Sequence, residues 1–257
     1  LDYVVLENAS QYIANKPGIT IAGWFYAERL ERDEGWRQSL GGRLLESEPS
    51  PVLDLRGRDW EGYLAERSSN FRSQVRRAER KLVREHGLAY RLADAASFEA
   101  DFETLLRLHR ARWAEDSDSF DGPVEAFHRE FAAVALAKGW LRLWVASADG
   151  RDVAAWYGLR FGGAESFYQA GRDPAWERSK VGFVLLAQTI RAAFEEGLEE
   201  YRFLRGGETY KSRFTDTGTA VETVVGGGGP LGALTAALAG RAVGNERGRR
   251  LLARLAG

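Results

Sequence analysis

The chain has 257 residues, a formal net charge of −1, 44% hydrophobic side chains, and neither cysteine nor methionine. That length suffices for one large or two modest domains with real cores, and the mean hydropathy of −0.37 is that of an ordinary globular protein. A near-neutral charge excludes nucleic-acid binding by bulk charge, though not a local basic patch, and the lack of cysteine excludes a disulfide framework, a thiolate nucleophile and a zinc ribbon.

The three histidines, His86, His109 and His128, fall in separate helical patterns without metal-ligand spacing, so they read as surface or half-buried side chains and no metal is expected. No apolar run reaches the roughly 18 residues of a membrane span, and no charged start precedes a short apolar core. The expectation is a cytoplasmic protein with no membrane span. A first residue of Leu1 and the absence of methionine suggest a fragment.

In chain order, Gly18–Ala27 alternates like a strand, and residues Ala27 to Leu40 read as a charged helix stopping at Gly41-Gly42. Glu46-Ser-Glu-Pro-Ser-Pro51 has linker composition, and Val52–Leu55 reads as a short strand. Asp59 is placed to cap one long helix from Trp60 past Arg84 to a stop at Gly87. Within it Arg72, Arg76, Arg80 and Arg84 step by four and share a face, with Arg77 and Lys81 beside them. Two readings stand: a solvated face relieved by Glu79 and Glu85, or a surface for a phosphate-rich ligand such as a nucleotide, a coenzyme or a tRNA backbone.

Leu88–Asp94 alternates as a strand. Helices follow over Ser97–Trp113, with Ser97 as its cap, and over Pro123–Lys138, with proline in the first turn. Phe98, Phe102, Leu105, Leu106 and His109 share one face of the first, and Phe127, Phe131 and Val134 one face of the second, both expected in the core. Trp140–Ala146, Val153–Phe161 and Ala164–Gly171 alternate, and Asp149-Gly150 and Gly162-Gly163 join them as hairpin turns.

Phe183, Leu186, Ala187, Ile190 and Phe194 then recur at helical spacing, between a cap at Ser179 and a stop at Gly197. Where this helix opens, Arg178, Ser179, Lys180, Val181 and Gly182 combine cations with first-turn amides that lack intrahelical partners. Such a start can hold an anionic group. A strand over Tyr201–Arg205, a short helix from about Thr209 and a strand over Ala220–Val225 precede Gly226–Gly229 and Pro230. Residues 231–257 read as peripheral helices.

The order from Leu88 onward resembles the GNAT acyltransferase fold. The residue-level match is to the CelD/BioF2-like acetyltransferase group, related to the Fem aminoacyltransferases. It is carried by Asn70-Phe-Arg72 with Arg76-Arg77-Ala78, Val153-Ala-Ala-Trp-Tyr-Gly158, Tyr168-Gln-Ala-Gly171 with Asp173, Ser179–Gly182, and Phe203-Leu-Arg-Gly-Gly-Glu-Thr-Tyr-Lys211 with Phe214. The implied fold is α/β in the α+β sense, a mixed and mostly antiparallel sheet flanked by helices. The implied division has residues 1–87 as the remnant of a first GNAT-like half with the basic crossover helix, 88–229 as the acyltransferase domain and 230–257 as a helical extension.

The resemblance implies that acyl-coenzyme A lies in a splay between the strand ending at Gly171 and the strand ending at Arg205, its pyrophosphate on the amides of Arg178–Gly182. The family's loop reads Arg or Gln, two residues, Gly, one residue, then Gly or Ala. Here Arg178-Ser-Lys-Val-Gly182-Phe-Val has one glycine, a departure shared by Fem-like enzymes, which use aminoacyl-tRNA.

Acyl transfer to an amine needs a neutral nucleophile, donors for the oxyanion and a proton for the leaving group. With no cysteine and no Ser-His-Asp set, direct attack is the simpler route. Glu208 is the candidate general base, its pKa open to elevation in a partly apolar cleft. Tyr210 is the candidate acid or oxyanion donor, and Tyr168 its runner-up. Arg205 and Lys211 are candidates for holding an acceptor's carboxylate or phosphate, as Arg76 and Arg80 are on the basic helix. The bland reading of Glu208 and Lys211 is a surface pair worth under about 1 kcal/mol.

The expected function is N-acyl transfer, of acetyl in the simplest case, from coenzyme A to a small-molecule amine such as that of a cell-envelope or polysaccharide precursor. The competitors are an aminoacyl-tRNA-dependent transferase and a catalytically silent module binding an anionic ligand. A purely RNA-binding domain lacks the required aromatic platforms beside its charge.

Overall fold

The computed structural model describes residues 24–32, 43–113 and 120–227. The strand residues expected before Trp24, the stop at Gly41-Gly42, the Gly228–Pro230 end and the helices over 231–257 lie outside them. The chain divides into two compact units. Among the described residues, the larger holds 52–113, 120–204 and 213–216, and the smaller holds 24–32, 43–51, 205–212 and 217–227.

Eight strands and five helices are described: β1 (Trp24–Glu31), β2 (Arg43–Asp54), α1 (Trp60–Glu66), α2 (Ser69–His86), β3 (Ala89–Leu92), α3 (Phe98–Trp113), α4 (Pro123–Ala137), β4 (Leu141–Ala148), β5 (Arg151–Phe161), β6 (Ala164–Arg172), α5 (Val181–Glu195), β7 (Glu200–Arg202) and β8 (Gly218–Gly227). In the larger unit the last residues of β2, Val52–Asp54, start a sheet that continues β7-β6-β5-β4-β3. Every pair in it is antiparallel except β6 with β7. Both hairpins form where expected. Asp149 and Gly150 have φ of 51° and 72°, and Gly162 and Gly163 have 56° and 78°, the pair of positive values that a type I′ turn requires.

One face of this sheet is covered by α3 and α4. Phe98, Phe102, Leu105 and Leu106 pack with Ala132 and Ala135 against Leu143, Val145, Ala155 and Tyr157. His109, on the same face of α3, is also fully buried. The expectation for α4 needs correcting. Its buried residues are His128, Ala132 and Ala135, while Phe127 is 36% exposed and Val134 51%. The helix meets the sheet through its small residues, which allow close approach, and turns part of its aromatic stripe outward.

α5 is buried over more than the single expected face. Val184, Leu185, Thr189, Ala192 and Ala193 join Leu186, Ala187 and Ile190 in the interior. Gly197, with φ of 70°, ends it as expected.

The long helix expected from Trp60 to Gly87 is two helices. Asp59 does cap the first, its carboxylate accepting from the Gly62 amide at 2.7 Å. The chain then extends at Arg67, with ψ of 161°, and Ser68 starts a new helix by accepting from the Phe71 amide at 3.2 Å. Arg72 closes the break, donating to the carbonyls of Ala65 at 3.1 Å and Arg67 at 2.5 Å. These are carbonyls that a helix C-terminus leaves without partners. Gly87, at φ 58°, ends α2 in the left-handed conformation.

The smaller unit holds an antiparallel three-stranded sheet in the order β1-β8-β2. Two expectations fail here. Ala27–Glu31 is part of β1, not of a helix, because pairing with β8 decides the conformation of that charged stretch. Glu46–Pro51 is strand, not linker, and pairs with Thr223 through Gly218. Pro49 sends its carbonyl to the Gly206 amide at 2.9 Å. Its nitrogen therefore faces away from β8, where the missing N–H leaves no gap in the ladder. Among the described residues no helix is long and apolar enough to cross a membrane, and no group of three or more acidic or histidine side chains could hold a metal.

Candidate active site

The site is built where β6 and β7 part. They pair in parallel at Ala164↔Glu200, Glu165↔Tyr201 and Ser166↔Arg202 only, while β6 runs on to Arg172 without this neighbour. On its other side β6 carries an irregularity: Tyr157 faces Gln169 and Gly158 faces Phe167, leaving Tyr168 unopposed. A bulge of this kind bends its strand and re-aims the extra side chain. The Tyr168 hydroxyl meets Nε2 of the buried His128 at 2.9 Å. Tyr157 and Phe120 wall the pair, with ring centroids 5.8 Å and 5.4 Å from His128.

α5 opens in the same unit. Its cap is Lys180 rather than the expected Ser179, and Lys180 takes the left-handed conformation at φ 59° with no side chain capping the helix. The first-turn amides and the positive end of the helix dipole are thus left to a ligand or water. Two cations converge beside them on Gln74 of α2, Arg213 at 2.8 Å and Lys180 at 3.4 Å. Arg213 also lies over the Phe183 ring, 4.6 Å from its centroid. Arg172, at the end of β6, passes 3.4 Å from a Cβ built on Gly182 and pairs with Glu177 at 2.7 Å. Arg178 is exposed. Arg213 and Gln74 carry no signal in the sequence and meet the start of α5 only through the fold.

Residues 69–212 match the family model described as an acetyltransferase (GNAT) domain. The chain belongs to this family. It is an acyltransferase by that membership, and its mixed, mostly antiparallel sheet flanked by helices is the GNAT fold.

Solved structures share the fold at low identity. The C-terminal domain of an Agrobacterium fabrum protein assigned as a lysylphosphatidylglycerol synthetase is 13% identical, with a TM-score of 0.57 over 83% of this chain and 71% of that one. L-PGS from Bacillus licheniformis is also 13% identical, at 0.57 over 86% and 73%. FemX is 9% identical, at 0.54 over 79% and 71%. No curated protein matches the sequence.

The other candidate residues of this GNAT chain fall in two places. On α2, Arg76 pairs with Glu61, and Arg80 donates Nε to the Arg76 carbonyl at 3.1 Å. Arg76 lines a groove of about 460 Å³ with Trp60, Glu61, Arg191 and Phe194, beside the second half of α5 rather than its start. Arg84 and Lys81 both reach Glu85. Of the two acids expected to relieve the basic face, Glu85 does so, while Glu79 pairs with Arg191 of α5 at 2.7 Å and Arg76 is met by Glu61 of α1.

Arg205, Glu208, Tyr210 and Lys211 belong to the smaller unit. Lys211 is only 3% exposed and donates to the Arg205 carbonyl at 2.6 Å and to Glu208 at 2.8 Å. Burial pulls the pKa of Lys211 down, and the Glu208 partner acts against that shift. The Glu208 side chain is 54% exposed. Gly206 makes room for it: a Cβ there would stand 2.4 Å from a Glu208 carboxylate oxygen. Arg205 approaches Glu48 at 3.5 Å. Lys211 thus ties the 205–211 loop together by donating from its buried ammonium to the Arg205 carbonyl and the Glu208 carboxylate, instead of facing outward as a surface cation.

Proposed function

We propose that this acyltransferase moves an acyl group, acetyl in the simplest case, from coenzyme A to a primary amine, with amino sugars of cell-envelope or polysaccharide precursors as the acceptor class. The observation that carries the reading is the parting of β6 from β7 beside the uncapped start of α5. Past Ser166 the edge of β6 that β7 leaves is suited to backbone pairing with an extended chain that itself contains amides, as the pantetheine arm does. The first-turn amides of α5 from Val181 and Gly182 onward suit a pyrophosphate, with Lys180 and Arg213 supplying charge and Arg178 and Ser179 flanking them.

In this reading the arm brings its thioester to the bulge at Tyr168. The amine nitrogen attacks the acyl carbon, the C–N bond forms, the C–S bond breaks, coenzyme A leaves as the thiolate, and the proton lost by the nitrogen passes to solvent. Tyr168 is the hydroxyl at that point. Glu208 and Tyr210 keep the roles of base and acid only as alternatives, because the Glu208 carboxylate is already engaged by Lys211.

The aminoacyl-tRNA reading draws on the single glycine of the Arg178–Val184 loop. The internal pairing of Arg76 and Arg80 weighs against it. Calorimetry separates the two. Acetyl-coenzyme A is expected to bind one-to-one, weakening about tenfold in Lys180→Ala plus Arg213→Ala. No heat with acetyl-coenzyme A, together with charged-tRNA binding lost on Arg76→Ala plus Arg80→Ala, overturns the coenzyme A reading in favour of tRNA. Unchanged binding in a protein that turns over no amine favours a silent ligand-binding module.

A further inference from the structure

The pairing of Tyr168 with His128 asks more of the sheet and α4 than packing requires. Tyr168 is the one residue of β6 left without an opposite number, so a bulge is maintained at the point where it stands. His128 is only 5% exposed, and its Nε2 lies 2.9 Å from the Tyr168 hydroxyl. A buried ring nitrogen is costly without a partner, and the bulge supplies one on a side chain that is itself only partly buried.

Among the described residues, the rings packed around His128 are those of Phe120, Phe127, Tyr157 and Tyr168. Phe120 stands between His128 and His109, with centroids 5.4 Å and 4.8 Å away. Burial pushes His109 down to about 4, with Arg112 and Arg110 adding to the effect, so His109 is neutral at pH 7. Burial raises the Tyr157 phenol far above its ordinary value, so it too stays uncharged. Phe127 closes the cluster at 5.2 Å.

We infer that His128 is the positioning and proton-receiving partner of Tyr168 in acyl transfer, acting on the amine through the tyrosine hydroxyl. The inference rests on the proposed acyl-coenzyme A reading. As the amine nitrogen bonds to the acyl carbon, its proton passes to the Tyr168 oxygen while the Tyr168 proton passes to His128 Nε2. Coenzyme A departs as the thiolate, and the imidazolium then returns its proton to solvent. Atoms and charge balance without any further reactant. Tyr168 is the catalytic residue in this scheme, and His128 holds its hydroxyl in the one orientation that serves transfer.

The test uses acetyl-coenzyme A with glucosamine as the amine, following the released thiol with a disulfide dye. The assay has no protein background because the chain has no cysteine. His128→Phe, His128→Gln, Tyr168→Phe and the Tyr168→Phe/His128→Gln double variant are compared with wild type. Each single variant is expected to lose roughly 100-fold in kcat, with KM and calorimetric affinity for acetyl-coenzyme A unchanged. The double variant is expected to lose no more than Tyr168→Phe alone, since the two side chains act in series.

Glutamine keeps a polar partner for the hydroxyl but cannot take the proton. His128→Gln therefore folds as wild type does and stays slow. Full recovery of kcat in His128→Gln, or wild-type kcat in both His128 variants, overturns this inference while leaving the acyl-coenzyme A reading intact. A wild-type chain that releases no thiol overturns that reading, and this inference with it.

Discussion

A Cβ on Gly171 would stand 2.2 Å from the backbone nitrogen of His109 and 2.4 Å from the carbonyl carbon of Leu108. α3 therefore touches β6 backbone to backbone near the end of the strand, beside the edge proposed to face the donor. The obstacle is main chain and cannot be relieved by a rotamer change. Gly171→Ala is expected to cost about 2–3 kcal/mol, the upper part of the overpacking range. At roughly 2–4 °C per kcal/mol for a chain of this size, that lowers the melting midpoint by about 5–10 °C. Because the displaced elements carry His109, Tyr168 and Gln169, thiol release is expected to fall as well. A variant with wild-type midpoint and activity would show that the helix can shift freely.

Lys211 gives a test in the smaller unit. Lys211→Met keeps the aliphatic stem and removes the donor to the Arg205 carbonyl and to Glu208. A hydrogen bond to a charged group contributes about 1.5–3 kcal/mol, and Glu208 is exposed enough to be rehydrated, so a loss near the lower end, about 1.5 kcal/mol, is expected at pH 7. The pKa of Lys211 is lowered by burial, so between that value and the ordinary 10.5 the unfolded chain binds more protons than the folded one. The contribution of Lys211 to stability therefore rises with pH through that window. Urea denaturation of both proteins at pH 7 and pH 10 reads it: the gap widens at pH 10 if the lysine is as desolvated as its position implies.

What could be read from the chain was set by local chemistry. The Asp59 cap, the Gly87 and Gly197 stops and the Asp149-Gly150 turn each depend on a few adjacent residues, and each formed as expected. What could not be read depends on partners far away in sequence. Ala27–Glu31 looks helical until β8 supplies a strand to pair with. The break at Ser68 is closed by an arginine that seemed to belong to a charged face. His128 and Arg213 carry no signal of their own. They enter the site because α4 crosses Tyr168, 40 residues away, and because Gln74 lies 139 residues before Arg213. The family motif led to the 205–211 loop, yet it gave no sign that Lys211 would turn inward.

Glu165 on β6 is fully buried beside Arg142, at 3.1 Å. Burial raises its pKa to about 7, against the pull of the Arg142 guanidinium. A carboxyl whose folded pKa lies above its unfolded value contributes stability that is complete below about 4.5 and is lost as pH rises through 7. Glu165→Gln removes that dependence while keeping a polar group for Arg142. The variant is expected to match wild type near pH 5 and to exceed it by about 2 kcal/mol at pH 8. Thermal midpoints across that range decide it, and a variant less stable than wild type at pH 8 would show that the ion pair outweighs the burial.

Lys180 separates stability from ligand binding at the start of α5. Its left-handed backbone costs a non-glycine residue about 1 kcal/mol, and no side chain caps the helix there. Lys180→Gly relieves the backbone and removes the charge that meets Gln74 at 3.4 Å. The expected outcome is a melting midpoint equal to or slightly above wild type, with acetyl-coenzyme A affinity reduced several-fold and the loss shrinking as salt is raised, since an exposed cation acts through screened attraction. Reduced affinity with a lowered midpoint would mean that the lysine holds the loop instead of the phosphate. Unchanged affinity would move the pyrophosphate away from this helix start, and with it the reason for reading the parted strands as a donor site.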